Sequence, residues 1–234
     1  MGEKKTYAEN WVDNNIVNDK EDLMIIGGMA SRELHNKFKL DLSPAATIAI
    51  YGITFETILD YLKKQQENRH SSFQINICNV ISVSYTNLAD NDAEKRGNFM
   101  PFIQQISDGP IPDTGISSPN TIELCTAWNT SHISEHPEVL TEISAMTVRN
   151  LSDRLAMRTA DRELIMPIFC TFHENLISYI KLKRVDLKVT SYMIDVAGIY
   201  KIKVSEADDA TEIIEYPTLI YTKKTTKDDG ASTD

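Results

Sequence analysis

The fold class is decided by residues 167–204, which read PIFCTFHENLISYIKLKRVDLKVTSYMIDVAGIYKIKV. In the first half, apolar side chains recur at the three- and four-residue spacing of an amphipathic helix, which Pro167 can begin. In the second half the spacing changes to every other residue, first at Val185-Leu187-Val189 and last at Tyr200-Ile202-Val204, which is typical of strands with one buried face. This change of period predicts an α+β fold, in which a core helix is followed by strands.

The connections between these predicted strands are short and polar. Ala197-Gly198 follows the apolar pair Ile194 and Val196, and SEADDA at 205–210 precedes a further apolar stretch, Ile213 to Tyr221. Short connections join antiparallel neighbours, because a parallel crossover needs a dozen residues or more. The sequence therefore predicts a C-terminal antiparallel β-meander.

A second alternating stretch lies upstream, from Phe73 to Tyr85 (FQINICNVISVSY). It predicts one long amphipathic β-strand or hairpin. As a single strand, thirteen residues would span about 43 Å, which is well beyond the usual strand length and would carry it past its own core. Asn79 interrupts the apolar face and indicates a bulge or a change of face, with a ligand contact as the alternative.

Capping residues and apolar spacing predict five further elements. They are a helix opened by Asn18 and Glu21 and stopped at Gly27-Gly28, a helix from Ser43-Pro44 to a stop at Gly52, a helix capped by Thr54, a short strand over Ile122, Leu124, Thr126 and Trp128, and a helix from Pro137 to about Met157. With the helix at Pro167, the last of these gives two core helices.

Composition divides the chain into five segments. They are an N-terminal arm (1–10), helices plus the long strand (11–107), a Pro/Gly-rich linker or arm (108–120), helices plus the antiparallel meander (121–222) and a polar tail (223–234). The arm, the 108–120 segment and the tail hold few apolar side chains with which to fix themselves. We therefore expect other molecules to hold them.

The charge of the chain argues against nucleic acid as a direct partner. Lys and Arg total 24 against 34 Asp and Glu, a formal net charge of −10, which repels polyphosphate. Four cations form a local exception: Lys181, Lys183, Arg184 and Lys188. They indicate a cationic helix C-terminus, with phosphate binding as the alternative.

Cysteine usage and hydropathy bear on the compartment. Three widely spaced cysteines and a polar start without a secretory apolar stretch indicate a reducing compartment. No apolar run approaches the ~20 residues that a membrane span needs, since the densest, Leu164 to Cys170, is broken by Pro167. We expect a cytoplasmic protein, or a virion protein assembled in a host cytoplasm, with no membrane partner.

Five residues of zinc-ligand type are the weak candidates for a metal site: Cys125, His132, His136, Cys170 and His173. Cys170 and His173 would share a helix face, whereas His136 precedes a proline and is expected to be extended. The favoured interpretation is that the cysteines are core residues and that the histidines are hydrogen-bonded or exposed, because Cys170 lies in an apolar run. The sequence lacks the motifs of phosphate-binding loops, serine hydrolases and zinc proteases, so no catalytic residue and no cofactor is expected.

These features favour a non-enzymatic structural or assembly subunit of a larger homo- or hetero-oligomeric complex. The expected partners are other protein subunits in a symmetric oligomer. The most plausible setting is a viral, tailed-phage particle, in which such a subunit would be a neck, tail or head-completion protein. Two alternatives stay open: a cytosolic enzyme or ligand-binding domain that uses the Cys/His group, and an acidic regulatory binding protein.

Overall fold

The computed structural model describes residues 4–69, 73–78, 80–85, 111, 113, 118–158, 160–205 and 212–215. Its helices are α1 (Tyr7–Asn15), α2 (Lys20–Phe38), α3 (Pro44–Arg69), α4 (Pro119–His132), α5 (Pro137–Leu155) and α6 (Arg162–Asp186). Its strands are β1 (Phe73–Ile77), β2 (Ile81–Tyr85), β3 (Ser191–Val196), β4 (Tyr200–Ser205) and β5 (Glu212–Glu215). The predicted α+β class is confirmed, with helices predominating in the described part.

Helix α6 lies at the centre of the core. Every residue from Leu164 to His173 is buried, and helix α6 packs against α2, α3, α4 and α5. A helix that is apolar on all sides needs such an enclosure. On α3, Tyr51 and Phe55 meet this helix through close ring contacts with Phe169 and Phe172.

Helix α6 begins before Pro167, so the prediction that this proline starts the helix is wrong. Asp161 caps α6, and its carboxylate accepts a hydrogen bond from the Glu163 amide, 3.4 Å away. Pro167 has no amide to donate to the carbonyl of Glu163, four residues earlier. The side-chain amide of Asn129 on α4 donates to that carbonyl instead, at 2.9 Å.

Neither predicted helix end is correct, because Gly27 and Gly28 lie inside α2 and Gly52 lies inside α3. A Cβ on Gly27 would lie 2.8 Å from the Pro44 carbonyl oxygen, and one on Gly52 would lie 2.6 Å from Cη2 of Trp11. These glycines allow close packing of helices. Ser43 does cap α3, accepting a hydrogen bond from the Ala46 amide at 3.1 Å.

Two other predictions for helix starts are wrong. Thr54 lies within α3 and donates to the Ile50 carbonyl. The N-cap of α2 is Asp19, which has a left-handed conformation, and its carboxylate accepts a hydrogen bond from the Asp195 amide at 2.8 Å. The predicted capping pair at Asn18 is therefore replaced by a contact between the start of α2 and β3.

The stretch from Phe73 to Tyr85 is a hairpin and not a single strand. Strands β1 and β2 pair antiparallel, with Ile77 opposite Ile81. Cys78 has a φ of 53°, and the Val80 amide donates to the Ile77 carbonyl at 2.9 Å. The turn keeps alternate residues on the same face, so Ile75, Ile77, Ile81 and Val83 are all buried. Asn79 lies outside the described residues.

The predicted strand over residues 122–128 is also wrong, since these residues belong to α4. Ser118 caps this helix by accepting a hydrogen bond from the Thr121 amide at 3.2 Å, and Pro119 occupies the first turn. The same Ser-Pro pattern opens α3. Four alternating apolar positions were too few to outweigh a capping signal of this kind.

The C-terminal antiparallel meander is confirmed, in the order β3-β4-β5. Tyr200, Ile202 and Val204 are buried on one face, and Met193 is exposed on the other, paired with Lys203. The proposed strand at 185–189 is wrong, because α6 continues to Asp186. Of the stretch 213–221, only residues 213–215 lie within the described part of the chain.

Two described residues of the 108–120 segment, Ile111 and Asp113, are held by the chain's own N-terminus. Thr6 caps α1, which begins inside the predicted arm. The Ile111 amide donates to the Lys5 carbonyl at 3.0 Å, the Tyr7 amide donates to the Ile111 carbonyl at 3.1 Å, and the Ala8 amide donates to Asp113 at 2.9 Å. Residues 5–8, 111 and 113 therefore give no support to an arm laid over a neighbour.

Within the described residues, one helix is long and apolar enough to cross a membrane by length and composition alone. The stretch Pro44–Gln65 of α3 contains 22 residues and has a mean hydropathy of 1.2 in its most apolar window. The expectation that no apolar stretch approaches the length of a membrane span is therefore wrong for this helix. Since 83% of the window is buried inside the protein, α3 has the burial of a core helix.

Candidate functional site

The structure does not assemble the five weak metal candidates. Among the residues it describes, no three His, Cys, Asp or Glu side chains lie close enough together to hold a metal ion. His132 is exposed at the end of α4 and stacks on Trp128, with 4.2 Å between ring centroids. His136 precedes α5 in a left-handed conformation, and not in the extended one expected, because only four residues separate α4 from α5.

Two of these candidates are buried thiols with no acidic character near neutral pH. Burial, together with the negative charges of Asp161 and Glu163, raises the pKa of Cys125 to about 12. A hydrogen bond with Cys78 and burial raise the pKa of Cys170 well above its usual value. Buried thiols of this kind are poor metal ligands and poor nucleophiles, because both roles require the thiolate.

The remaining candidate, His173, belongs to a buried hydrogen-bonded chain. Its Nδ1 lies 2.7 Å from the hydroxyl of Tyr51, which accepts a hydrogen bond from Tyr200. The chain joins α6, α3 and β4 across the core. A buried polar group is costly unless it is hydrogen-bonded, so this chain fixes one arrangement of the three elements. Sequence spacing gave no signal for it, because 122 residues separate Tyr51 from His173.

One surface feature is a run of exposed apolar side chains that we call the α6–β3 surface. It starts in the last turns of α6, follows the connection at 187–190 and ends on β3. Its residues and exposed fractions are Leu182 (57%), Val185 (61%), Leu187 (55%), Val189 (39%) and Met193 (44%). The five residues lie within twelve positions of the chain. Single exposed apolar residues are ordinary, whereas exposed apolar residues grouped together indicate an interaction site.

Cations border this surface. Lys181, Lys183, Arg184 and Lys188 lie in the same stretch of chain, with Asp186 as the one acid between residues 181 and 190. Lys203 pairs with Met193 across the sheet. The predicted cationic helix C-terminus is therefore present. Lys181, Lys183 and Arg184 lie near the end of α6, and Lys188 lies two residues beyond it. The helix dipole accounts for cations there, but it gives no reason for the exposed apolar side chains.

One carboxylate holds the elements beneath this surface together. Tyr179 on α6 and Tyr192 on β3 both donate to Asp22 on α2, each at 2.5 Å. Lys183 lies 3.8 Å from the same carboxylate. Burial and the Asp22 hydrogen bond raise the pKa of Tyr179, and the same bond followed by burial raises that of Tyr192. The α6–β3 surface is thus built on a fixed support.

Two shallow grooves also lie on the surface of the described residues. The larger, which we call the α5 groove, has a volume of about 500 Å³ and is lined by Pro137, Glu138, Thr141, Glu142, Ala145 and Arg162. The second has a volume of about 380 Å³ and is lined by Lys37, Phe38, Leu124, Trp128 and His132. Small-molecule sites are enclosed and bury most of their ligand, so open grooves of this kind better fit contacts with a protein.

Comparison with known proteins adds no relative. No protein-family model matches the sequence, and neither the curated proteins nor the solved structures contain a significant match to it.

Proposed function

We propose that this protein is a non-enzymatic assembly subunit that binds other protein subunits through the α6–β3 surface. The observation that carries the proposal is the exposure of five large apolar side chains within twelve residues, on a support fixed by Asp22. Function follows from the surface and not from the fold alone.

Covering this surface would contribute favourably to association. Full burial of a Leu, Val or Met side chain contributes about 1.5 to 3 kcal/mol, and the five residues of the surface are each roughly half exposed. A partner that covered them would gain several kcal/mol in total, before the cost of association. An interface centred on apolar residues and bordered by charge has the usual anatomy of a protein–protein contact.

The charge at this surface selects the partner. The four cations between Lys181 and Lys188 lie on a protein of net charge −10, so the partner surface that complements them is acidic. The particle setting expected from the sequence, a tailed-phage neck, tail or head-completion protein, stays a prediction.

The test measures self-association and the role of this surface. We expect light scattering after size-exclusion chromatography to show an oligomer at micromolar concentration. The double variant Leu182→Ser/Val185→Ser should dissociate to a monomer, because both side chains are exposed and their loss removes apolar contact area. Ile111→Ser is the matched control: Ile111 is 47% exposed and is held by backbone hydrogen bonds, so this variant should assemble as the wild type does.

Circular dichroism and thermal unfolding must show that the double variant is folded. Protection of residues 182–193 from hydrogen exchange in the oligomer gives a second readout. A wild-type protein that is monomeric at every accessible concentration would overturn the proposal, and so would an oligomer that the double variant leaves intact and in which residues 182–193 stay unprotected.

A further inference from the structure

We propose that the partner is a second copy of this chain, bound head to tail, with the α6–β3 surface of one copy seated in the α5 groove of the next. This inference rests on the proposed function and names its partner. It requires two complementary surfaces that do not overlap on one chain.

The α5 groove complements the α6–β3 surface in charge. Glu138 and Glu142 lie one helical turn apart on its wall, and neither forms an ion pair within the described residues. The cation in the groove, Arg162, is already paired with Glu163 at 3.0 Å. On the α6–β3 surface, Lys181, Arg184 and Lys188 also form no ion pair among the residues that the structure describes. Two exposed acids are thus available to unpaired cations.

Each of the two surfaces also carries apolar side chains next to its charged ones. Pro137 and Ala145 line the groove beside the acids, and Leu182 and Val185 stand beside the cations. A contact between them would place apolar groups at the centre and opposite charges at the rim, as in stable interfaces. The Thr141 hydroxyl donates to the Pro137 carbonyl at 2.7 Å, so its hydrogen bond is already satisfied.

The two surfaces lie at opposite ends of one helix. Arg162, the first residue of α6, lines the α5 groove, and the α6–β3 surface begins at the last turns of the same helix. At 1.5 Å per residue the 25 residues of α6 span about 37 Å. One copy can therefore use both surfaces at once, which gives a head-to-tail contact that closes into a ring or continues as a filament.

Charge also decides against a symmetric contact between two α6–β3 surfaces. Such a contact would bring the Lys181–Lys188 cations of both copies together, with Asp186 as the one acid from that stretch on each side. Like charges brought together at an interface suppress association. The head-to-tail contact replaces this repulsion with attraction to Glu138 and Glu142.

A charge-exchange experiment on the full chain tests this arrangement. We expect Lys181→Glu/Lys188→Glu and Glu138→Lys/Glu142→Lys each to weaken self-association about tenfold or more. An equimolar mixture of the two variants should assemble again, because each chain then offers the charge that the other needs. Light scattering gives the mass, and native mass spectrometry gives the alternating composition. High salt should weaken the wild-type contact, since the charges lie at the rim.

The control is Glu123→Lys/Asp153→Lys, which changes the net charge as the groove variant does but at exposed residues outside the groove. It should assemble as the wild type does. If the groove variant assembles normally, or if the mixture stays monomeric while the wild type assembles, the head-to-tail contact is wrong and the assembly function stands. If the wild type is a monomer, both the head-to-tail contact and the assembly function are wrong.

Discussion

Asn129 donates its side-chain amide to the carbonyl of Glu163 at 2.9 Å, and this bond replaces the one that Pro167 cannot make. The proline leaves one carbonyl of α6 without its helical donor, and a side chain from α4 supplies the donor. The stability of the central helix therefore depends on a neighbouring helix.

This relationship predicts a non-additive pair of substitutions. Asn129→Ala should lower the free energy of unfolding by about 1 to 3 kcal/mol, because it leaves the Glu163 carbonyl unsatisfied. In a Pro167→Ala background the cost of Asn129→Ala should be much smaller, since an alanine amide can bond the carbonyl within the helix. Urea unfolding of the wild type, both single variants and the double variant measures the coupling. Additive effects would contradict the prediction.

The adjacent glycines of α2 should respond in opposite directions to the same substitution. Gly27→Ala places a Cβ 2.8 Å from the Pro44 carbonyl oxygen, and we expect it to destabilise the protein by about 1 to 3 kcal/mol. Gly28→Ala meets nothing within 4 Å and should stabilise α2 by up to about 1 kcal/mol, because alanine favours helix over glycine. Denaturant midpoints compare the two. Equal effects would mean that α2 and α3 are not in close contact at Gly27.

Alkaline pH should destabilise the support beneath the α6–β3 surface. The pKa values of Tyr179 and Tyr192 are raised in the folded protein, so their contribution to stability is complete below the ordinary tyrosine pKa of 10.0. Above that pH the unfolded chain releases these protons first, and stability falls as pH rises toward the folded pKa values. Urea unfolding across this range measures the decrease.

The matched control for the alkaline effect is Asp22→Asn, which removes the negative charge that both tyrosines face. We expect this variant to be less stable near neutral pH, because two charge-assisted hydrogen bonds are weakened. It should also show a smaller loss of stability above pH 10.0. An alkaline titration identical to that of the wild type would show that Asp22 does not set these pKa values.

Thiol labelling should follow unfolding of the protein. Cys78, Cys125 and Cys170 are all buried and form no disulfide, and Cys125 has a pKa of about 12. We expect a thiol-specific reagent to label them in the native protein only as fast as the chain opens, and to label them at once in denaturant. Rapid native labelling of Cys125 or Cys170 would show an accessible thiolate and revive the Cys/His hypothesis.

Local signals predicted part of this fold correctly. The helix starts at Ser43-Pro44 and Pro137 and the C-terminal meander follow from capping and alternation. Both depend on interactions within a few residues, which the sequence displays directly. Of the candidate site, the sequence showed the cations at the end of α6 but not the exposed apolar side chains between them.

The sequence by itself therefore determined the fold class, the apolar faces of the strands and the net negative charge. Only the tertiary structure decided that Gly27 and Gly52 lie within helices and that residues 73–85 fold back as a hairpin. It also decided that Asp22 accepts hydrogen bonds from two tyrosines far away in the sequence. Periodicity and caps act between near neighbours in the chain. Contacts between helices, and the exposure that remains after packing, depend on residues far apart in sequence, whose approach no local pattern specifies.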